Sequence, residues 1–432
     1  MNGYIIPFIN FHYPYFSSES AEVDGYFNFL NSTFIPLLNT LERLENDDIE
    51  YSLSLSLSTS LINLLANPDL TNRYCRRTRN LQAEETRNER RDALRDNLFL
   101  MSQYNYRPLD GLRRLAAYGH LEIITGGAAT NAPLSLLAPV PEAVKAQISI
   151  ALAVYQHYFE HECHGINLYP NWCYQQLPEL LNELKVEYLI ISPAPSLRTL
   201  KTNRPMVAGS NIGVLAADVS LSDIFTESLA GDWQKADDNA NNYIEILRNN
   251  ISREVKESNG KPPVYLIFAD ASQLQKENRS RKLNTVFLEL LLRKISCDQK
   301  DIGLEKPASY LSSNDVFVDS DAIGMFTPNL TPYYQSGYQQ LFPDLHIAAL
   351  KLGKLNRNKE SAAIRAKMVR ELILAQSGDH RPHEDTFCRE HLQKFTALIN
   401  SFDDTLQSHA DSTSADVGSD DFLTDIDLSN FY

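Results

Sequence analysis

Polar side chains that could take part in catalysis stand at or near the ends of apolar segments with the composition of buried strands. His12 follows the apolar run of residues 4–10, Glu122 lies in LEIIT, and Asp270 ends PVYLIFAD. A carboxyl group can give or take a proton, and an imidazole can hold a hydroxyl group of a ligand. Each also has a structural interpretation, because Asp270 could cap the next helix, Glu122 could pair with a buried arginine, and His12 could be bonded in the core.

A second group of candidates is rich in histidine and cysteine. His157 and His161 are four residues apart, so a helix would place them on one face, as two zinc ligands would be; Cys163, His164 and Cys173 follow. The stretch has no HExxH or CxxC pattern. The alternative is a polar helix end, where protonated histidines suit the helix dipole. We therefore predict no metal ion and no other cofactor, with metal binding by these residues left open as the alternative.

The elements that must position these residues alternate between strand and helix patterns. Residues 186–192 (VEYLIIS) and 263–269 (PVYLIFA) are typical of buried strands, and residues 26–44 place apolar side chains at helical spacing. Such alternation indicates a parallel sheet or barrel, whose chemistry lies beyond the carboxyl ends of its strands. After about residue 300 helical patterns dominate, which predicts a second, helical domain.

The segment from residue 403 to residue 432 has a different composition. It contains eight aspartates, no lysine or arginine, and few apolar residues before Phe422. This composition predicts a disordered acidic tail. Its last part, DFLTDIDLSNFY, could dock on a protein partner, and a purely solubilising tail is the alternative. The sequence thus predicts three regions: residues 1–300, 301–402 and 403–432.

Composition excludes several classes of function. The chain has 432 residues, of which 43% are hydrophobic and 22% charged, as in ordinary folded proteins. Its net charge of −15 argues against nucleic acid as a partner. Five cysteines without a CxxC pattern favour a reducing compartment, and neither a signal peptide nor a membrane-spanning run is evident. We therefore expect a cytoplasmic protein that does not interact with membranes.

Several short motifs occur in the order known from one enzyme family. HYP at residues 12–14 resembles an opening His-x-Pro motif, GHLEIITGG at 119–127 resembles a GxLEI segment, and RELILAQSGDH at 370–380 resembles a motif of a helical domain. The chain thereby resembles glycoside hydrolase family 57, a family of α-glucan hydrolases and transferases. Over most of residues 1–400, the resemblance implies an α/β fold with an incomplete seven-stranded β/α barrel followed by a helical domain.

The resemblance also implies roles for individual residues. Asp270 matches the general acid/base, while His12 and Glu122 match residues that contact the substrate. Asp379, in the helical-domain motif, is a further candidate for substrate binding. Trp172 is another, since it could stack on a sugar, with a core aromatic residue as the alternative. The implied ligand is an α-glucan or another oligosaccharide.

One departure from the family pattern bears directly on function. The family's third motif ends in the glutamate that acts as nucleophile, whereas LYPNW at residues 168–172 has Asn171 in that place. A retaining glycosidase needs two carboxyl groups about 5–5.5 Å apart. An amide cannot form the glycosyl ester. We therefore predict impaired or altered catalysis, unless Glu160 or Glu162 replaces the nucleophile from a neighbouring loop.

Two further positions also differ from the family pattern. Asn10 and Asn131 stand where some members of the family carry histidine. Substitutions at several positions of one pocket suggest that the parental reaction is no longer performed. The alternative function is a non-catalytic glycan-binding or regulatory protein that acts with a partner.

Overall fold

The computed structural model describes most of the chain. The residues described are 2–17, 20–170, 173–194, 197–198, 202–209, 211–258, 260–271, 285–298, 301–313, 317–318, 338–355, 362–379, 385–408 and 422–432.

The core of the fold is a barrel of parallel strands wrapped by helices. Its strands are β1 (Gly3–Phe11), β2 (Leu53–Leu57), β3 (Leu121–Thr125), β4 (Gly165–Asn167), β5 (Tyr188–Ile191), β7 (Ile212–Ala216) and β8 (Val264–Asp270). They are hydrogen-bonded in the order β7-β5-β4-β3-β2-β1-β8. Because every neighbouring pair in this series is parallel, the carboxyl ends of all these strands lie at one edge.

The barrel closes weakly between β7 and β8, the strands at the two ends of this series. A single parallel bridge between Ala217 and Leu266, with the Asp218 N–H donating to the Leu266 carbonyl at 3.0 Å, joins the end of β7 to β8. The predicted incomplete seven-stranded barrel is thereby confirmed.

Three shorter strands extend the sheet. β6 (Met206–Ala208) runs antiparallel to β7, β9 (Ile302–Leu304) pairs with the start of β1, and β10 (Phe317–Val318) pairs with β6. The sheet therefore continues past residue 300, where the sequence predicted only helices. Strands of two or three residues are too short to show a period of two in the sequence.

Helices cover the outside of the barrel and form the region that follows it. They are α1 (Val23–Phe29), α2 (Ile35–Asn46), α3 (Thr59–Ala66), α4 (Pro68–Glu84), α5 (Asn88–Gln103), α6 (Pro108–Ala117), α7 (Leu134–Leu137), α8 (Pro141–Phe159), α9 (Leu177–Glu183), α10 (Val219–Leu229), α11 (Ala236–Glu257), α12 (Thr285–Asp298), α13 (Pro307–Ser313), α14 (Phe342–Lys354), α15 (Ala362–Ala375) and α16 (Asp385–Ser408). A π-helical turn, Leu30–Phe34, joins α1 to α2.

Capping residues start helices directly after strands. The Ser58 hydroxyl accepts a hydrogen bond from the Leu61 N–H at the start of α3, and the Asp218 carboxylate accepts one from the Leu221 N–H at the start of α10. Serine and aspartate are favoured at this position because they satisfy backbone donors that the helix leaves open. These caps fix where the loops at the carboxyl edge end.

The inside of the barrel is partly polar. Leu55 and Leu57 of β2 are fully buried, and so are Ser54 and Ser56, which alternate with them. Ser56 lies opposite Asn10 in the parallel register, so both side chains point to the same side of the sheet.

The end of the chain departs from the predicted disordered tail. Helix α16 continues to Ser408, and residues 422–432, which we call the C-terminal segment, pack against the fold. Phe422, Leu423 and Leu428 are each at most 1% exposed. The prediction was wrong for this segment because averaged composition hides a few apolar residues that a groove can bury.

Arginines of α15 hold the backbone of the C-terminal segment. Arg365 donates to the carbonyls of Ser429 and Tyr432 at 3.0 and 2.7 Å, and Arg370 donates to the Phe422 carbonyl at 2.6 Å. The Phe422 ring lies 4.7 Å from that of Tyr15, in the loop after β1. The segment therefore ties the helical region to the barrel.

We expect Phe422→Ala to lower the free energy of unfolding by about 3–5 kcal/mol, since it empties a fully buried site. Phe99→Ala is the matched control, because Phe99 is 62% exposed; its effect should stay within about 0.5 kcal/mol. Urea unfolding followed by fluorescence measures both. Equal effects of the two substitutions would contradict the docked segment.

Candidate active site

A chain of hydrogen bonds crosses the inside of the barrel at its carboxyl edge. The Asn167 amide at the end of β4 donates to the Asn10 side-chain oxygen at 3.1 Å, and the Asn10 amide donates to an Asp270 carboxylate oxygen at 3.4 Å. All three side chains are at most 6% exposed. Since Asn10 and Asp270 face each other in the β1–β8 register, the strand pairing itself brings them together.

The order of donors and acceptors fixes the chemistry of this cluster. A carboxylate only accepts, so the Asn10 amide nitrogen must face Asp270, which leaves its oxygen for Asn167. Amides orient a carboxyl group but exchange no protons with it. Of these three side chains, Asp270 is the one that can act as a general acid or base.

Two buried polar atoms near this cluster lack partners among the described residues. They are the Ser56 hydroxyl and the side-chain oxygen of Asn167. A buried polar atom without a hydrogen bond costs about 1–3 kcal/mol, and such atoms need an explanation such as a functional role or bound water. A barrel interior selected only for stability would carry apolar groups here.

A second cluster joins the helical region to the barrel at the same edge. The Asp379 carboxylate, in the loop after α15, contacts the His12 imidazole at 2.8 Å and accepts a hydrogen bond from the Asn131 amide at 2.8 Å. The side chain of Asp379 is 2% exposed and that of His12 is 14% exposed. The predicted candidates His12 and Asp379 are thus in direct contact, together with Asn131.

A glycine permits this contact. A Cβ atom on Gly378 would lie 2.6 Å from the carbonyl oxygen of Asn131, which is closer than real Cβ atoms come to backbone oxygens. Asn131 itself has a φ of 25°, a region in which asparagine is more frequent than other side chains. The two loops can therefore approach only with a glycine at position 378.

The loop that carries Asp379 is supported by buried amides. The Gln147 amide donates to the Gln376 side-chain oxygen at 2.9 Å, and the Gln376 amide donates to the Tyr432 hydroxyl at 2.8 Å. The Thr130 hydroxyl donates to the Ile373 carbonyl at 2.9 Å. The C-terminal segment is thus bonded three residues away from Asp379.

Glu122 does not join these clusters. It is the second residue of β3 and lies opposite Ser54, three residues before the carboxyl end of the strand. Three residues of a strand span about 10 Å. Its carboxylate accepts hydrogen bonds from the Tyr188 hydroxyl at 2.5 Å and from the Ala308 N–H at 3.4 Å. The structure therefore gives Glu122 a role in fastening α13 near the amino-terminal edge, and does not place it beside Asp270.

The environment of Glu122 disfavours its charged form. Burial raises its pKa above the ordinary value, although hydrogen bonds from Tyr188 and Ala308 and the charge of Lys306 oppose the shift. Burial and the nearby carboxylate raise the pKa of Tyr188 as well.

Two predicted residues, Asn171 and Trp172, lie outside the described residues. The possible substitutes for the nucleophile are displaced from the site: Glu160 and Glu162 follow α8 and precede the amino end of β4, and Glu160 pairs with Arg113. Neither lies at the carboxyl edge that carries Asp270.

The histidine and cysteine side chains of the predicted metal alternative point to different neighbours. The His161 ring contacts the Tyr155 hydroxyl, His164 pairs with Glu187, and the Cys163 thiol contacts the Gly165 carbonyl. Within the described ranges, no three histidine, cysteine or acidic side chains are grouped as metal ligands would be.

Sequence reasoning noted Asn10 and Asn131 as substitutions but did not find their bonding partners. Asn167 was missed altogether. Asparagine is unfavourable in strands, so its place at the end of β4 was the available signal.

The barrel agrees with the family to which the sequence is similar. Residues 4–313 match the profile of glycosyl hydrolase family 57. The chain belongs to this family. The resemblance inferred from the short motifs is therefore confirmed.

Individual family 57 proteins are similar to this chain at low sequence identity. The 1,4-α-glucan branching enzyme TK1436 of Thermococcus kodakarensis is 27% identical over 194 residues, and the match covers 41% of this chain and only 28% of that enzyme. The α-amylase AmyC of Thermotoga maritima has a TM-score of 0.81 at 19% identity, with 99% of each chain covered. The branching enzyme of Pyrococcus horikoshii has a TM-score of 0.80 at 17% identity, covering 100% of this chain and 94% of its own.

In the parts of this family 57 protein that the structure describes, no helix combines the length with the hydropathy that crossing a bilayer requires.

We expect Gly378→Ala to destabilise the protein by about 1–3 kcal/mol, because the added methyl group must push the Asn131 backbone away. Gly353→Ala is the matched control, since Gly353 lies in α14 with no atom within 4 Å of the added carbon. In a helix, that substitution should be neutral or stabilising. Thermal unfolding of both variants makes the comparison, and equal melting temperatures would refute the close approach.

Glu122→Gln should change how stability depends on pH. The folded pKa of Glu122 lies above the unfolded value of about 4.3, so ionisation favours the unfolded state, and wild-type stability falls as pH rises through the folded pKa. The glutamine variant lacks this loss. The melting temperature of the variant minus that of the wild type should therefore increase from about pH 4, which is close to the unfolded pKa, to about pH 8, which is well above it. Glu50→Gln, at an exposed residue, provides the control. A difference that does not vary with pH would contradict the assignment.

Proposed function

We propose that this family 57 protein binds an α-glucan or a related oligosaccharide at the carboxyl edge of its barrel, and that glycoside cleavage by double displacement is lost or strongly reduced. The observation that carries the proposal is Asn171, which stands where the family pattern has the nucleophilic glutamate while Asp270 is retained. Without a second carboxylate, no glycosyl ester can form.

The surroundings of Asp270 support binding more than turnover. Asn10 and Asn167 offer amide groups, which hydrogen-bond to hydroxyl groups without exchanging protons. Asp379 is a carboxylate at the same edge, but it is engaged by His12 and Asn131. In this arrangement Asp379 holds the loops that shape the cleft and does not supply a nucleophile.

Any residual turnover would depend on Asp270 as general acid/base, with His12 and Trp172 contacting the sugar. Binding without turnover, as in a glycan-binding or regulatory protein, is the alternative, and the amide neighbours of Asp270 favour it. Incubation with maltooligosaccharides separates these functions. New chain lengths or reducing ends would indicate an enzyme, and saturable binding without products would indicate the alternative.

Asn171→Glu should raise hydrolysis of an activated α-glucoside above the background rate, because it restores the carboxylate that the family pattern has at this position, while Asp270 is retained. Asn171→Gln is the matched control, since it has the same length without the charge and should stay at background. Release of the chromogenic leaving group measures both rates. No increase in a folded Asn171→Glu variant would refute the placement of residue 171 at the nucleophile position.

A second substitution tests whether the restored activity uses the expected partner. In an Asn171→Glu/Asp270→Asn double variant, the gain in steady-state turnover should disappear, because no general base remains to activate the water that hydrolyses the glycosyl ester. A gain that survives the loss of Asp270 would mean that another group acts as this base.

A further inference from the structure

A cavity of about 710 Å³ lies outside the barrel and shares no lining residue with the clusters around Asp270 and Asp379. It is bordered by the end of α3, the start of α4, the turn between α5 and α6, the end of α8, and the C-terminal segment. Its volume falls within the roughly 300–1,000 Å³ typical of small-molecule sites.

An exposed aromatic ring stands at this cavity. Tyr106 is 39% exposed, and the Arg79 guanidinium donates to its hydroxyl at 3.3 Å, which restrains the ring. Asn105 and Tyr106 both have positive φ angles, 52° and 61°, and so does Glu160 with 65°. Strained backbone of this kind costs about 1–3 kcal/mol per residue and is concentrated at functional sites.

The charged side chains of the cavity are fixed by one another. Arg113 donates to the Asp110 carboxylate at 2.8 Å and also pairs with Glu160, while the Tyr158 hydroxyl donates to Asp425 at 2.8 Å. Such pairs hold donors and acceptors in preset directions, so a ligand finds them ordered.

The balance of charge points to a neutral ligand. Two arginines of the lining, Arg107 and Arg113, stand against three acids, Asp110, Glu160 and Asp425. A phosphate or sulfate group would need an excess of positive charge. The lining also contains Asn72 and Asn105, whose side-chain amides can bond to hydroxyl groups.

We propose that this cavity is a second oligosaccharide-binding site, in which the Tyr106 ring packs on the apolar face of a pyranose and the planar polar side chains bond to its hydroxyl groups. The choice of an α-glucan as ligand rests on the proposed function of the barrel. A polymer that occupies both sites would be retained near the cleft through a higher effective concentration.

The test uses the full chain and maltoheptaose, with calorimetry to give the number of sites. The wild type should bind two molecules, and Tyr106→Ala should bind the second about tenfold more weakly, which corresponds to about 1.4 kcal/mol, because the ring is lost. Tyr118→Ala is the matched control, since Tyr118 is 55% exposed and does not line the cavity. It should bind like the wild type.

Asn72→Ala gives an independent check, because it removes an exposed amide from the lining of the cavity. It should also weaken the second site, with an unchanged melting temperature. Equal binding by the wild type, Tyr106→Ala and Asn72→Ala would overturn the proposal.

The remaining outcomes separate this inference from the proposed function. Maltoheptaose bound by Tyr106→Ala reports on the cleft at Asp270, and it should decrease in a Tyr106→Ala/Asp270→Ala double variant. Wild-type binding that Tyr106→Ala abolishes completely would support the second site and contradict the proposed function. Absence of binding by the wild type would overturn both.

Discussion

The contact of Asp379 with His12 and Asn131 determines how the two parts of this protein fit together. A carboxylate that is almost completely buried must be paired, and removal of one partner from such a group typically costs about 3–5 kcal/mol. Asp379 meets this requirement with side chains from two barrel loops. The loop after α15 therefore has a fixed position over the carboxyl edge of the barrel.

The same requirement explains the buried amides near this loop and inside the barrel. Gln147 and Gln376 bond to each other, and Gln376 bonds to Tyr432, so each buried amide finds a partner on another element. Asn167 and Asn10 do the same inside the barrel, and their series ends at Asp270. The hydrogen bonds of this network therefore hold the amide side chains in fixed positions. A glycosidase of the retaining type needs in addition groups that exchange protons and form a covalent bond.

Much of this architecture was predictable from the sequence, because buried parallel strands such as VEYLIIS and PVYLIFA have a clear composition and fix the location of Asp270 at a strand end. His12 and Asp379 were found as separate candidates, but their contact depends on long-range packing that no local pattern encodes. Glu122 shows a different difficulty. A sequence motif identifies the residue and its strand, but it does not tell at which end of the barrel the side chain lies. For Glu122, only the pairing with Ser54 shows that this is the amino-terminal end.

The C-terminal segment has a consequence for how the molecule is made. Ribosomal synthesis completes the barrel and the helices up to α16 before Phe422, Leu423 and Leu428 emerge. Until then the groove along α15 that will bury these side chains, together with Arg365 and Arg370, faces water or a chaperone. The nascent chain thus passes through a stage in which an apolar surface is open, until residues 422–432 cover it.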